Sequence, residues 1–252
     1  MAPPVLTSVV PNTGPAAGTN PVTLTGSQFT GATAVTFGSA AALSYTVNTP
    51  STITATVPPG TGTVNVTVRT PAGLSNTIAY SYAPTPALSA ISPNQGPTSG
   101  GTSVVLTGAG LTGATAVSFG GTPATSYTVN SATQVTAVAP PGTGSVACTV
   151  TGPGGTSNSV IYTYLAAPAL TALSPAQGPT GAGAAVTLTG TGLTTTFAVH
   201  FGAAPAAFTV VSDTTAIAIA PAGPAGSVPV NVTTSGGSSN SLTYQRVAPP
   251  AI

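Results

Sequence analysis

Apolar and polar residues alternate in short runs along the whole chain. In the clearest run, Val64, Val66 and Val68 alternate with Asn65 and Thr67. Because successive side chains of a β-strand point to opposite faces, this pattern predicts a strand with one buried face. The sequence has no useful run with the 3.6-residue period of an amphipathic helix. We therefore predict an all-β protein.

The alternating pattern is repeated three times at a constant spacing. Each copy begins with a turn rich in proline and glycine that leads into a strand of the form Val-x-Leu-Thr-Gly. The corresponding prolines, Pro11, Pro93 and Pro175, lie 82 residues apart. Repetition at a fixed period indicates tandem copies of one unit. Each unit has seven predicted strands, the last beginning at Ser75 in the first copy, which is typical of a two-sheet antiparallel sandwich.

Proline-containing linkers separate the units. We predict domains at residues 1–85, 86–167 and 168–252. Because proline fixes φ and has no N–H to donate, these linkers should be short and semi-rigid. We therefore expect three tandem β-sandwiches in an elongated rod.

Charge is nearly absent from the chain. Only 1% of the residues are charged, namely Arg69, Asp213 and Arg246, and the formal net charge is +1. With so little repulsion between molecules, we expect the protein to associate with itself. Disordered chains combine low hydrophobicity with high charge, and this chain is 41% hydrophobic, so the composition argues against disorder. No run approaches the 18 apolar residues of a membrane-spanning helix, and we expect no membrane insertion.

Two features bear on export and redox state. The opening residues 1–4 have neither a basic start nor an apolar run, so no signal peptide is visible. We expect that a leader is removed, that export follows another route or that the protein is released by lysis. The single cysteine, Cys148, excludes an intrachain disulfide. It lies on the inward face of a predicted strand, and we interpret it as a small buried apolar residue.

Five motifs of the repeat together resemble the IPT/TIG domain family. They are the Ser-Pro-x-x-Gly-Pro turn, the Gly-Thr-x-Val-x-Leu-Thr-Gly strand, the Val-x-Phe-Gly strand, Pro-Pro-Gly before a Val-x-Val-x-Val strand, and the closing Ser-Asn…Tyr. The resemblance covers essentially the whole chain and implies an immunoglobulin-like sandwich in each unit. It also implies a surface protein of the bacterial or phage type. The third unit departs from the motifs only in its turns, as at Gly183 and Ala222.

The reactive residues are too few for catalysis. General acid–base chemistry needs positioned titrating groups, and paired-carboxylate chemistry needs two carboxylates. The chain has one histidine, His200 on an outward strand face, and one aspartate, Asp213. By the 82-residue spacing, Asp213 replaces Thr49 and Ser131 in a loop, and one carboxylate cannot build a calcium site. We expect no enzyme, no catalytic residue, no cofactor and no metal.

The sequence argues against nucleic acid as a partner and leaves glycans open. Nucleic-acid binding occurs in the Rel branch of the family, but two arginines in separate units make no basic patch, so we expect none here. Carbohydrate binding stays open although the chain has no tryptophan. We expect Tyr80, Tyr162 and Tyr244 to cap the cores, and the sequons at Asn65 and Asn231 matter only where a glycosylation system acts on them.

One position differs between the units in a way that bears on assembly. Tyr82 and Tyr164 stand just before the interdomain prolines, and the third unit has Arg246 there. One interpretation buries both tyrosines at the domain junctions, where they stiffen the rod, while Arg246 caps a solvent-facing or subunit-facing end. In the other interpretation the tyrosines are ordinary core residues.

Together these observations favour a non-catalytic structural or adhesive protein at the cell surface, on a virion or outside the cell. Natural sheet proteins often guard exposed edges with lysine, and this chain has none. We therefore expect some edges to pair with other copies or other structural subunits, in an extracellular filament or a surface layer. The alternatives are a phage virion component, such as a decoration, tail or fibre protein, and a polysaccharide-binding module that contacts surface glycans.

Overall fold

The computed structural model describes residues 2–250 and contains three copies of one β-sandwich. Each copy pairs a four-stranded sheet with a six-stranded sheet, so the prediction of an all-β protein made of three immunoglobulin-like units is confirmed. Within these residues no helix is long and apolar enough to cross a membrane.

The first domain has ten strands where the sequence predicted seven. The strands are β1 (Val5–Val10), β2 (Thr13–Pro15), β3 (Pro21–Ser27), β4 (Ala34–Phe37), β5 (Ala40–Ala41), β6 (Ser44–Thr49), β7 (Thr52–Thr56), β8 (Gly62–Thr70), β9 (Gly73–Leu74) and β10 (Ile78–Ala83). The three strands that the sequence did not reveal, β2, β5 and β9, have only two or three residues each. That length is too short for a period-two pattern to show.

The other two domains repeat this order strand for strand. The second domain consists of β11 (Ala87–Ser92), β12 (Gln95–Pro97), β13 (Ser103–Ala109), β14 (Ala116–Phe119), β15 (Thr122–Pro123), β16 (Ser126–Ser131), β17 (Gln134–Val138), β18 (Gly144–Gly152), β19 (Gly155–Thr156) and β20 (Val160–Leu165). The third domain consists of β21 (Ala169–Ser174), β22 (Gln177–Pro179), β23 (Ala185–Thr191), β24 (Thr196–Phe201), β25 (Ala204–Pro205), β26 (Phe208–Ser212), β27 (Thr215–Ile219), β28 (Gly226–Thr234), β29 (Gly237–Ser238) and β30 (Leu242–Val247).

The two sheets of a domain have different strand orders. The four-stranded sheet runs β1-β3-β7-β6, and all of its pairs are antiparallel. The six-stranded sheet runs β2-β10-β8-β4-β5, with β9 paired to β8. In this second sheet β2 is parallel to β10, and the other pairs are antiparallel.

The segment that begins at Pro11 is more than the predicted turn. Its second half, β2, pairs with β10 so that Thr13 lies opposite Ser81 and Pro15 opposite Ala83. The chain therefore leaves one sheet after β1 and joins the other within three residues. Proline is tolerated in β2 because this strand lies at an edge, where a missing N–H breaks no ladder.

Each domain has its own apolar core between the two sheets. In the first core the rings of Phe37 and Tyr80 meet edge to face, with 5.3 Å between their centroids. Such a pair contributes about 0.5–1.5 kcal/mol beyond the area that it buries. Tyr80, Tyr162 and Tyr244 are fully buried, so the prediction that these rings close the cores is confirmed.

The single cysteine lies inside the second core. Cys148 is fully buried, as predicted, and burial raises the pKa of its thiol to about 12. The thiol therefore stays protonated and shielded from reagents while the domain is folded. Because the chain has no other cysteine, thiol labelling reports on the opening of the second domain alone.

A serine–asparagine pair joins the two sheets of each domain. In the first domain the N–H of Leu6 donates to Oδ1 of Asn76 at 2.8 Å, and Nδ2 of Asn76 donates to the carbonyl of Leu6 at 2.9 Å. The hydroxyl of Ser75 accepts from the N–H of Val68 at 3.0 Å and donates to the carbonyl of Asn76 at 2.6 Å. We call this arrangement the asparagine clamp. It ties β1 of one sheet to the segment that leads into β10 of the other.

The clamp recurs in the other domains. Asn158 holds Leu88, and Asn240 holds Leu170, through the same pairs of hydrogen bonds. The prediction that the last strand begins at Ser75 is therefore wrong, because β10 starts at Ile78. The intervening asparagine uses its side chain to reach the opposite sheet instead of extending the strand.

Replacing Asn158 with alanine should destabilise the second domain by about 1–3 kcal/mol, since both hydrogen-bonding groups of Leu88 lose their partner. The rate of Cys148 labelling in native buffer should then rise by roughly 5- to 150-fold. Asn240→Ala is the matched control, because it removes the same clamp from a domain without a cysteine. Equal labelling rates in wild type and Asn158→Ala would show that the clamp does not stabilise the domain.

Candidate functional site

The junction between the first and second domains is closed by a glycine. The linker that leaves β10 passes under the turn between β18 and β19, where Gly154 lies against the carbonyl groups of Ala83 and Pro84. A Cβ on Gly154 would overlap the carbonyl oxygen of Pro84, so only glycine allows this approach. The hydroxyl of Thr85 donates to the carbonyl of Gly154 at 3.0 Å and holds the linker in place.

The junction between the second and third domains has the same design with one addition. Gly236, in the turn between β28 and β29, lies against the carbonyls of Leu165 and Ala166 and likewise leaves no room for a Cβ. In addition, Nε2 of Gln95 in the second domain donates to Oγ of Ser235 in the third at 3.2 Å. At the first junction, the positions that correspond to Gln95 and Ser235 hold Thr13 and Pro153. The first junction therefore lacks this hydrogen bond.

A cavity of about 210 Å³ lies at the second junction. Its wall comes from the end of β20, from the loop after β23 and from the turn after β26. The lining residues are Leu165, Ala166, Gly192, Thr194, Thr195 and Asp213. The Asp213 carboxylate accepts hydrogen bonds from the Thr194 hydroxyl at 2.8 Å and the Gly192 N–H at 3.2 Å. These bonds lower the pKa of Asp213, because they favour the charged form.

Each four-stranded sheet ends in a strand whose outer side is unpaired. The edge strands β6, β16 and β26 pair on one side only, and none of them contains a charged residue. The opposite edge, β1, has a register shift near Leu6, where the asparagine clamp occupies the backbone. The other sheet ends in β2 and β5, which are three and two residues long. The strands β6, β16 and β26 also contain a register shift, but their backbone is free of the clamp, and we call them the open edges.

The sequence matches the family described as the IPT/TIG domain over residues 4–82, 86–164 and 168–245. The chain belongs to the IPT/TIG domain family. Each match contains both sheets of one domain, so the TIG repeat and the structural repeat coincide. No curated protein matches the chain.

Several solved structures show a distant likeness to the chain. The extracellular region of plexin A4 aligns with a TM-score of 0.47 and 21% identity, over 92% of this chain and 23% of that one. The Escherichia coli adhesin FdeC aligns at 0.33 and 18%, over 97% and 96%. Bacteroides ovatus SGBP-B, in complex with a mixed-linkage heptasaccharide, aligns at 0.31 and 17%, over 85% and 61%. The chain thus spans about a quarter of the plexin A4 structure, and likenesses this low carry no functional argument.

The tyrosines singled out in the sequence pack inside their own TIG domains. Tyr82 belongs to the first core, where its hydroxyl donates to the carbonyl of Pro58 at 2.9 Å and its ring covers Gly60. Tyr164 makes the matching bond to Pro140 at 2.8 Å. These are the contacts of ordinary core tyrosines, and that the two rings also stiffen the chain stays a prediction.

Arg246 takes the place of these tyrosines in the third TIG domain. Its side chain is buried, and Nη2 donates to the carbonyl of Pro221 at 3.0 Å, the position that receives the tyrosine hydroxyl in the other domains. Its Nε is buried without a hydrogen-bond partner among residues 2–250. That Arg246 caps the end of the assembly stays a prediction.

The other candidate residues lie apart in the third domain. His200 is half-buried in β24, opposite Asn231 of β28. The match of Asp213 to Thr49 and Ser131 is wrong, because the third unit lacks one residue before β26. The backbone carbonyl of Asp213 accepts from Leu193, as those of Pro50 and Ala132 accept from Phe29 and Leu111. In the described part of the chain, no three His, Cys, Asp or Glu residues come together as a metal site would need.

Replacing Gly154 or Gly236 with alanine should displace the adjacent linker, because the new Cβ overlaps a linker carbonyl. The distance distribution from small-angle X-ray scattering should broaden, while the domains stay folded. Gly181→Ala is the matched control, since a Cβ at Gly181 meets nothing within 4 Å. A distribution identical to wild type for both variants would show that the glycines do not set the junctions.

Loss of the hydroxyl group should affect the stability of the second domain differently at two neighbouring tyrosines. Tyr164→Phe leaves the buried carbonyl of Pro140 without a donor and should cost about 1–3 kcal/mol. Tyr162→Phe removes a buried hydroxyl that has no partner among the described residues, so stability should stay the same or rise. Cys148 labelling measures both variants in one domain, and equal losses would contradict the assignment.

Proposed function

We propose that this protein is a non-catalytic structural or adhesive component outside the cell, whose TIG domains associate laterally into a filament or a surface layer. The observation that carries the proposal is the set of open edges, one in each domain, without charged residues. An exposed edge strand presents unpaired N–H and C=O groups that template another strand. The partner with a matching series of edges is a second copy of this chain.

The spacing of the open edges suits repeated pairing. Tyr45, Tyr127 and Phe208 occupy the same place in β6, β16 and β26, at intervals of 82 and 81 residues. A single pair of short edges binds weakly, but two linked pairs between neighbouring chains act together, and linked sites can raise affinity by about 10²- to 10⁴-fold. This gain requires that the domains hold a fixed arrangement. The glycine-closed junctions support such an arrangement.

The surface charge favours the same function. The net charge is +1, and Arg69, Asp213 and Arg246 are its only full charges. Because the charged side chains are so few, copies of the protein repel one another very little at close range. A catalytic role has no comparable support, and we propose that the chain is not an enzyme. Its cysteine is protonated and buried, and its aspartate lies in another domain.

Two kinds of assembly suit these edges, and the place where the protein is found distinguishes them. A filament or surface layer and a virion component both need neutral, repeated edges. We propose the extracellular filament or layer because copies that pair in a staggered way leave an open edge free at each end for a further copy. Electron microscopy of the native source material, with the protein labelled, tests this. Label on polymers at the cell surface supports the proposal, and label on phage particles would favour the virion component instead.

Lysine placed on the open edges should weaken self-association. We expect a triple variant with Thr46→Lys, Thr128→Lys and Thr209→Lys to associate roughly 3- to 150-fold less tightly in analytical ultracentrifugation. Each exposed threonine becomes a charge that faces its counterpart across the edge, and each like-charge pair costs about 0.2–1 kcal/mol.

The control carries the same added charge away from the edges, as Thr61→Lys, Thr143→Lys and Ala225→Lys in exposed loops. It should associate more tightly than the edge variant. Equal weakening of both variants would mean that net charge, and not the edges, governs association. A wild-type protein that stays monomeric at high concentration would refute the proposal.

A further inference from the structure

Several departures of the third TIG domain from the repeat lie in the segments that line the cavity at the second junction. Residues 192–197 read Gly-Leu-Thr-Thr-Thr-Phe, whereas the second domain has Gly-Leu-Thr-Gly-Ala-Thr at residues 110–115. The nearby turn holds Asp213 where the other domains have Pro50 and Ala132. Three identical scaffolds need no such differences for folding. Changes gathered around one cavity indicate a function for that cavity.

The polar groups of this cavity are set up to accept hydroxyl groups. The carboxylate of Asp213 is exposed, and its bonds to Thr194 and Gly192 fix its orientation. Each carboxylate oxygen keeps a free lone pair, because each accepts one hydrogen bond from the protein and has room for a second. The hydroxyl of Thr195 lies in the same wall.

An exposed aromatic residue follows the cavity wall closely in the sequence. Phe197 is 64% exposed, more than any other large apolar residue that the structure describes. It lies two residues after Thr195, which lines the cavity. Threonine occupies the matching position in the first and second domains. An exposed phenylalanine this close in sequence to the cavity wall offers a flat apolar face in addition to the carboxylate, which accepts hydroxyl hydrogens.

We propose that this cavity binds one pyranose ring of a neutral oligosaccharide. The Asp213 carboxylate accepts two sugar hydroxyls, and the ring of Phe197 packs against the C–H face of the next sugar. The cavity suits one ring, since its volume of about 210 Å³ is below the ~300–1,000 Å³ of sites for drug-sized ligands. The site does not depend on lateral association, because it lies between two domains of one chain.

Other ligands fit the same groups less well. A divalent cation would need several more oxygen ligands than the single carboxylate. An anionic ligand would meet the charge of Asp213 without a nearby lysine to balance it, since the chain has no lysine. A neutral polyol satisfies the carboxylate by hydrogen bonds alone.

The test is isothermal titration calorimetry of the full chain with cellohexaose, mannohexaose and xylohexaose. We expect at least one of them to bind with a Kd near or below about 1 mM. Asp213→Ala and Phe197→Thr should each weaken that binding at least tenfold. Both changes install residues that the second domain already has at these positions, so the fold should tolerate them.

Two further variants complete the test. Gly236→Ala, which shifts the linker that forms one wall, should also weaken binding. Leu43→Thr, a change of an exposed apolar residue in the first domain, should have no effect. The proposal is overturned if none of the three hexasaccharides binds at about 10 mM, or if a bound one is unaffected by Asp213→Ala and Phe197→Thr. Titration at protein concentrations where ultracentrifugation shows a monomer keeps this result separate from self-association.

Discussion

One amide side chain per domain holds the two sheets together at the end where the chain enters. Asn76 and its counterparts satisfy both backbone groups of a residue 70 positions earlier, and so fix the first strand against the last. The turn that contacts the preceding linker comes only a few residues before each asparagine, as Gly154 comes before Asn158. The same short segment therefore closes its own domain and holds the linker from the preceding one, which couples the clamp to the relative placement of the two domains.

The repeat made most of the fold predictable, because a pattern seen three times separates signal from accident. Alternation revealed the long strands, but β2 and β5 were too short to show a period. Ser75 and Asn76 carried a strand-like pattern, yet the asparagine side chain bonds to the opposite sheet, and no local pattern reports a contact with Leu6 across 70 residues. The Asp213 match failed because one residue is missing from the third unit, and a fixed spacing hides a deletion.

The candidate sites were less predictable than the fold, and for a different reason. Gly154 and Gly236 look like ordinary turn glycines in the sequence, and their role depends on a linker that the fold brings to them. Comparison between units supplies the missing signal. Phe197 and Asp213 stand out because the other two copies show what the scaffold has at those places. In a repeat protein, the copies act as controls for one another.

The parallel pairing of β2 with β10 has a mechanical consequence. Tension on the two ends of a domain would enter through β1 and leave at the end of β10. Because β2 and β10 run in the same direction, such a pull moves them past each other along their length. The hydrogen bonds between them then strain simultaneously, instead of opening one after another as in a hairpin that is peeled apart. Each domain thus resists stretching most strongly along the axis on which its neighbours are attached.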